Sequence, residues 1–384
     1  MTSSVNQKAG FDIPLSGPDI TEAEIAAVTA VLRTPRLSLG QQLVEFESEL
    51  ARYVGSAHCV ALSSGTAGLH LALLVAGIGP DDEVLVPSFA FIAVANAVRY
   101  VGALPVFVDI DARTLNLAPA AVEAAITPRT RAIIVVHTFG VPASLDELLH
   151  IGRRHHLRII EDACESLGGE YQRRKLGSCG DVGVFGFYPN KQITTGEGGA
   201  LVTDDAAMAA RARSLCNQGR GNSGDWFEHQ EIGYNYRISE LNCALGRVQL
   251  SRIDEILAKR EAVAQMYAAQ LGGETRLELP MTVAADGKIS WFVYVVRLTQ
   301  NADTNMRDGV ARFLTERGIG CGRYFAPIHQ QPAYRDVPHR CMDLQVTESV
   351  ASRTLALPFF SALTSAQVDA VCEALQESLD ILAL

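Results

Sequence analysis

The chain has 384 residues and a mass of 41.4 kDa, room for about two domains and for a core that needs neither disulfides nor metals. Hydrophobic residues make up 48% and charged residues 20%, which excludes a disordered or collagen-like chain. With 33 basic against 43 acidic residues, a net charge of −10, the composition also argues against a protein built to neutralise a nucleic-acid backbone.

An arm is expected over 1–18, polar at its start and without an apolar signal segment. Thr21 and Glu24 have capping-box spacing, so a helix should run from there to about Leu32 and stop before Pro35. A second helix, about Gln41 to Tyr53, follows the Gly40 break. Short β-rich runs then appear at His58–Leu62, Glu83–Val86, Pro105–Val108, Ala132–Val136 and Leu157–Ile160. Helical patterns lie between them, at about Thr66–Ala76, Phe89–Val101, Pro119–Ala125 and Leu145–His155. Two further runs, about Val182–Phe187 and Ala200–Val202, flank a Gly-rich loop. The alternation predicts an α/β fold, a mostly parallel seven-stranded sheet covered on both faces. Its ligands should sit at strand carboxyl ends, just after Leu62, Val86, Val136, Ile160 and Phe187.

From about Ser239 to Leu271 the pattern is helical, ended by Gly272-Gly273. A strand at Phe292–Leu298 and helices at about Met306–Arg317 and Ser365–Leu382 complete a smaller α+β part. The expected division is a large domain over 19–255 and a small one over 256–384. The most apolar run, Leu69 to Gly79, contains His70 and falls short of the roughly 18 residues a membrane span needs. The eight cysteines are scattered with no Cys-x-x-Cys pair, which points to reduced thiols, a cytoplasmic setting and no metal site.

Three segments carry chemistry. Ser63-Ser64-Gly65-Thr66-Ala67-Gly68 leaves the first strand and opens a helix, where free amides and the helix dipole favour an anion; an ordinary strand-helix turn would look the same. It matches neither the dinucleotide fingerprint nor the P-loop. Asp162 follows an apolar strand, either in a solvated turn or as a buried acid that needs a cationic partner. Lys191 follows the aromatic run Phe185-Gly186-Phe187-Tyr188 and precedes small residues, a crowded setting in which a desolvated amine can form a Schiff base. An anion cradle, an acid and a pocket lysine in this order are what pyridoxal phosphate requires. Cys164 reads as a small buried hydrophobe, and Trp291, Phe292 and Tyr294 as core packing.

The sequence resembles the fold-type-I pyridoxal-phosphate enzymes of the DegT/StrS sugar-aminotransferase family from about Ile13 onward. The likeness is densest at Ser64–Leu69, Pro87–Ala97, Glu161–Leu167, Gly180–Gly199 and Gly233–Glu240. The wording Phe-Tyr-Pro-Asn-Lys-Gln-Ile-Thr-Thr-Gly-Glu-Gly-Gly, with Asn217-Gln218-Gly219-Arg220 and Gly233-Tyr234-Asn235-Tyr236-Arg237, is most similar to the GDP-perosamine-synthase branch. The resemblance implies Lys191 as the cofactor-bound lysine and Asp162 as the acid facing the ring nitrogen, with Glu165 near the phenolic oxygen. It implies Gly65, Thr66 and Ala67 as the phosphate cradle and Phe91, or else Phe89, as the aromatic stacked on the ring. Asn235, or Arg237 if the alignment slips, reaches the phosphate from a neighbouring subunit, which implies a homodimer with sites at its interface. One departure is Gly186, where many relatives carry a serine that touches the phosphate.

Tyr188, His329 and Arg237 are the expected substrate contacts, although His329 also reads as a satisfied loop histidine and Arg237 as a structural ion pair. The implied reaction moves an amino group from L-glutamate to a nucleotide-linked keto-deoxysugar, such as GDP-4-keto-6-deoxymannose. The alternatives are a cyclitol or 3-keto-sugar aminotransferase and a non-catalytic sensor on the same fold. A dehydratase relative would carry His in place of Lys191.

Overall fold

The computed structural model describes residues 12–221, 228–284, 287–299 and 301–382. Residues 1–11 of the expected arm, and 222–227 of the loop Gly221–Gln230, lie outside the described residues. Ile13 exchanges main-chain hydrogen bonds with Gly318 and Gly320 at 3.0 and 2.8 Å, and Leu15 accepts from Phe359 at 2.9 Å, so this segment is tied to the C-terminal part.

Helix α1 (Glu22–Leu32) has the expected capping box, with Thr21 and Glu24 reciprocally bonded. Helix α2 (Gln41–Val54) begins at Gly40, which has no side chain to cap it. The cap comes from across the molecule. The buried Glu240 carboxylate accepts from the amides of Gly40, Gln42 and Leu43 at 2.9, 2.9 and 3.0 Å. Gly40 is required there, since a Cβ would stand 2.5 Å from Glu240 Oε2. Glu240→Ala is expected to cost about 2–3 kcal/mol of stability, because three helix-terminal donors lose a buried anion. Urea denaturation measures this, and an unchanged midpoint would contradict it.

Strands and helices then alternate through β1 (His58–Leu62), α3 (Gly65–Val75), β2 (Glu83–Pro87), α4 (Ala93–Tyr100), β3 (Leu104–Val108), α5 (Pro119–Ala125), β4 (Thr130–Val136), α6 (Leu145–His155) and β5 (Arg158–Asp162). Two short strands follow, β6 (Glu170–Tyr171) and β7 (Arg174–Lys175). The sheet resumes with β8 (Val182–Gly186) and β9 (Gly199–Thr203), after which come α7 (Ala206–Cys216), α8 (Glu240–Ser251) and α9 (Ile253–Leu271). The C-terminal part holds β10 (Leu277–Glu278), β11 (Gly287–Lys288), β12 (Tyr294–Leu298), α10 (Thr304–Glu316), β13 (Arg340–Cys341), α11 (Gln345–Ala351), β14 (Thr354–Leu357) and α12 (Ser365–Ile381).

The main sheet has eight strands in the order β1-β9-β8-β5-β4-β2-β3-β13, not the seven expected. The added strand is β13, two residues pairing parallel to β3 at the edge; Arg340 there is also held by Glu83 and the Ala125 carbonyl, contacts that leave no hydrophobic pattern in the sequence. Strand β9 alone runs antiparallel to its neighbours β1 and β8. Both faces are covered, as the alternation of side chains shows: Ala132, Ile134 and Val136 pack with α3, α4 and α7, while Ile133 and Val135 pack with α5 and α6. A second core gathers Tyr267, Trp291, Tyr294 and Phe359 around the antiparallel sheet β10-β12-β14. Among the described residues no helix is long and apolar enough to cross a membrane.

Candidate active site

Register puts three chain segments side by side at one rim of the main sheet. Leu62, at the end of β1, pairs with Gly199, and Gly199 pairs on its other side with Gly186, at the end of β8. The loop between β8 and β9 carries Lys191. Its base is closed by Phe187 N–H to the Gly198 carbonyl (2.9 Å) and Thr195 N–H to the Phe187 carbonyl (3.0 Å). Lys191 donates its own amide to the Tyr188 carbonyl at 2.9 Å, and the Tyr188 ring is exposed at the rim. Lys191 Nζ lies 3.9 Å from Glu165 Oε1 and 3.9 Å from the centroid of the Phe292 ring, over its face.

Strand β5 runs on through both of its acids, and its alternation sends them to opposite faces. Glu161 turns to the rear. There it meets His137 Nε2 at 2.9 Å and the amides of Gly177 and Gly180 at 2.9 and 2.6 Å, and these donors hold its carboxyl below the usual range despite burial. Asp162 shares the face of Ile160 and α3. It is 8% exposed and accepts the Cys164 amide at 3.1 Å, and no Lys, Arg or His of the described residues pairs with it.

Glu165 accepts the Phe139 amide at 2.9 Å, and Gln192 fixes its carbonyl at 2.6 Å while reaching Ser290 Oγ at 2.9 Å. Burial pushes the Glu165 carboxyl up to about 7, against the pull of Lys191. A carboxyl whose folded pKa stands above its unfolded value of 4.5 stabilises the fold below 4.5, and that contribution is lost as the pH rises through about 7. In the cofactor-free protein Glu165→Gln keeps an acceptor for Phe139 and is expected to remove this slope, worth about 2–3 kcal/mol at most. Melting at about pH 5 and about pH 8 checks it. A Glu165→Gln variant whose stability still differs between the two pH values as much as that of the wild type would refute the assignment.

The anion cradle is built by close backbone approach. Ser64 caps α3 by accepting the Ala67 amide at 3.1 Å, and Gly65 and Thr66 form the first turn. A Cβ on Gly65 would stand 2.8 Å from Cys164 Sγ, and one on Gly199 would stand 2.4 Å from the Ser64 carbonyl carbon. Cys164 is half-buried rather than buried, and its sulfur lines this wall; a Cβ on Gly186 would stand 3.3 Å from it. The sulfur thus borders Gly186, the position at which the family resemblance leads to the expectation of a serine.

The remaining expected residues are distributed as follows. Phe91 is 61% exposed, whereas Phe89 is fully buried against Phe139 and Phe325 and has no free face. Asn235 is exposed, while the Arg237 guanidinium is held within the chain by Asn217 Oδ1 and Gln218 Oε1 at 2.9 and 2.8 Å. His329 has both ring nitrogens occupied, Nδ1 by Ser88 Oγ at 2.7 Å and Nε2 by Glu348 Oε1 at 3.1 Å. Lys191, Asp162, Glu165 and the Gly65–Ala67 turn converge, and the charges of Lys191, Asp162 and Glu165 all act on the Cys164 thiol. Sequence reasoning missed Phe139, Gln192 and Tyr324, and it read Phe292 as core only. Tyr324, whose hydroxyl is pushed up by burial and by Glu165, sits in the segment Tyr324–His329 that pointed to His329.

This donor set fits pyridoxal phosphate: a helix N-terminus for the phosphate, a lysine for the aldehyde, and a buried carboxylate still lacking a cation for the protonated ring nitrogen.

Comparison with known proteins agrees. Residues 18–376 match the model of the DegT/DnrJ/EryC1/StrS aminotransferase family. The chain is 43% identical over 343 residues to GDP-perosamine synthase of Caulobacter vibrioides, covering 89% of this chain and 91% of that protein. It is 36% identical over 382 residues to the spore coat polysaccharide biosynthesis protein SpsC of Bacillus subtilis, covering 97% and 98%. Among solved structures, the PLP form of the sugar aminotransferase Spr1654 of Streptococcus pneumoniae superposes with a TM-score of 0.92 at 27% identity, covering 97% of this chain and 100% of that one.

Proposed function

The chain belongs to the DegT/DnrJ/EryC1/StrS aminotransferase family and is a pyridoxal-phosphate-dependent sugar aminotransferase of fold type I; from that premise we propose that it moves the amino group of L-glutamate to a nucleotide-linked 4-keto-6-deoxyhexose such as GDP-4-keto-6-deoxymannose. The observation that carries the reading is the convergence of Lys191, Asp162 and Glu165 beside the start of α3. The likeness to GDP-perosamine synthase supports the choice of sugar.

When bound, pyridoxal phosphate supplies an electron sink for charge that develops at the substrate carbon. The chain's residues do the rest. Gly65, Thr66 and Ala67 would hold the phosphate by the helix end, and Asp162 would keep the ring nitrogen protonated. Lys191 would hold the cofactor and, when its amine is free, would take the proton from the amino-acid Cα and return one to the sugar carbon that receives the amine. Glu165, next to Nζ, bears on the phenolic oxygen and on the charge of Lys191. Phe91 would pack beside the bound ring, and Tyr188, Arg237 and His329 would border the sugar; the in-chain partners of His329 and Arg237 make Tyr188 the freest of the three. Glutamate leaves as 2-oxoglutarate and the keto sugar leaves as the amino sugar, so nitrogen and electrons balance between two carbonyl–amine pairs.

The working form is a homodimer in which Asn235 reaches the partner's phosphate. The exposure of Asn235 and of its neighbour Ile232, 91% exposed, supports this face as the one covered. A division into 19–255 and 256–384 and a cytoplasmic setting complete the proposal; eight unpaired cysteines support the latter.

A panel of nucleotide-linked 4-keto and 3-keto sugars and keto-cyclitols, assayed for glutamate-dependent amination, tests the reaction. The GDP-linked 4-keto sugar should turn over fastest. Preference for a cyclitol or a 3-keto sugar overturns the choice of substrate, and no amination of any acceptor favours the sensor.

A further inference from the structure

Arg260, in the middle of α9, is 1% exposed and ranks among the bulkiest fully buried side chains. No carboxylate of the described residues pairs with it, and its Nε has no hydrogen-bond partner. Instead the guanidinium donates only to main-chain carbonyls: Nη2 to Lys191 at 2.9 Å and to Asn190 at 3.3 Å, and Nη1 to Phe292 at 3.1 Å. Its far side lies over the Phe359 ring, 5.6 Å from the centroid. A buried cation with no anion is expensive, and a fold that sought stability alone would do as well with an apolar side chain there.

The three carbonyls share one property. Two belong to the stretch of main chain that carries Lys191. The third belongs to Phe292, whose ring lies under Lys191 Nζ at 3.9 Å. We propose that Arg260 is a positioning residue for the transamination, a single desolvated guanidinium that fixes both the main chain of Lys191 and the aromatic ring beneath its amine. The inference rests on the role of Lys191 proposed above and deepens it. A lysine that must alternate between holding the cofactor and moving a proton returns to one place only if its anchor does not move. The fork geometry of arginine suits this, because its planar donors reach carbonyls from two segments at once, which a point-charge lysine does poorly. Around Nζ itself stand the Phe292 ring and Glu165 Oε1, each at 3.9 Å.

The test uses the loaded enzyme with Arg260→Met, which fills the volume without the charge, and Arg260→Lys, which keeps the charge without the fork. Arg353→Met serves as the structural control: Arg353 is also buried, but it bonds Leu298 and Glu278, away from the lysine. Arg260→Met is expected to lower kcat by about tenfold or more with KM within about threefold. The pH midpoint of its visible chromophore should shift by about half a unit or more, because Nζ no longer keeps its place against Glu165. Arg260→Lys, whose single amine cannot reach both segments at once, should leave both kcat and midpoint short of wild type. Arg353→Met should melt earlier with wild-type kcat and midpoint. Wild-type kcat and midpoint in Arg260→Met, or changes equal to those of the control, overturn the inference. If Arg260→Met fails to fold, Arg260→Lys decides, and wild-type kcat in it overturns the inference. Borohydride reduction and peptide mapping of the wild type separate the two levels: no adduct on Lys191 overturns the proposed site and this inference with it, whereas an adduct on Lys191 with unchanged Arg260 variants overturns this inference alone.

Discussion

Lys191→Ala is expected to lower turnover by at least about 10⁴-fold while the protein stays folded, because one side chain both carries the cofactor and moves the substrate proton. The fold should tolerate the loss. Nζ makes a long ion pair with Glu165 and sits on the Phe292 ring, and no buried carboxylate depends on it for its only hydrogen bond, since Glu165 keeps the Phe139 amide. Stability of the cofactor-free variant should stay within about 1 kcal/mol of wild type. The Glu165 carboxyl, already pushed up by burial, loses the one neighbour that pulls it down most and should titrate higher still. Steady-state rates with a saturating keto sugar, with circular dichroism as the fold control, read this directly. Ordinary turnover in Lys191→Ala would remove the lysine from the chemistry.

Asp162→Asn is the second large effect, expected at about 10²–10³-fold in kcat. The substitution is close to isosteric, and its amide oxygen can still accept from Cys164, so the turn after β5 should persist. What disappears is the negative charge. In the structure that charge is buried without a cation, and its replacement by a neutral amide should make the cofactor-free protein no less stable. A slow, well-folded variant is the expected result. A variant with wild-type kcat would show that the acid does not face the ring nitrogen.

Much of this was legible in the sequence because strand and helix periods differ and the segments alternate regularly. The strands of the parallel sheet lie within a residue or two of their expected positions. Strand β13 was not legible, because two residues, one of them Arg340, carry no period. Helix α7 was missed because Ala206–Cys216 is rich in alanine and arginine and has no clear apolar stripe. The site's poles, Lys191 and Asp162, announced themselves as ionisable groups set against apolar strands. Arg260 did not: it stands in Lys259-Arg260-Glu261, which reads as a solvated helix face, and its burial against the lysine loop, Phe292 and Phe359 shows only in three dimensions. Phe292 was hidden for the opposite reason, since a hydrophobic residue before a strand looks like core whether or not an amine rests on it. Composition along the chain tells which groups are costly to bury, and three-dimensional contact tells which of them were buried anyway.

The one reversed strand has a practical consequence. Because β9 re-enters the sheet beside the strand that β8 has just left, residues 188–197 begin and end at a stitched seam, Gly186 against Gly199 and Phe187 against Gly198. Such a segment is tied down along its length as well as at its ends: Gln192, Ile193, Thr194 and Thr195 are buried, and the Thr194 amide donates to Gln249 Oε1 at 3.2 Å. A donor enzyme's version spliced between those two glycines therefore has to match it in length and keep those four positions, as well as the lysine carbonyl turned toward α9.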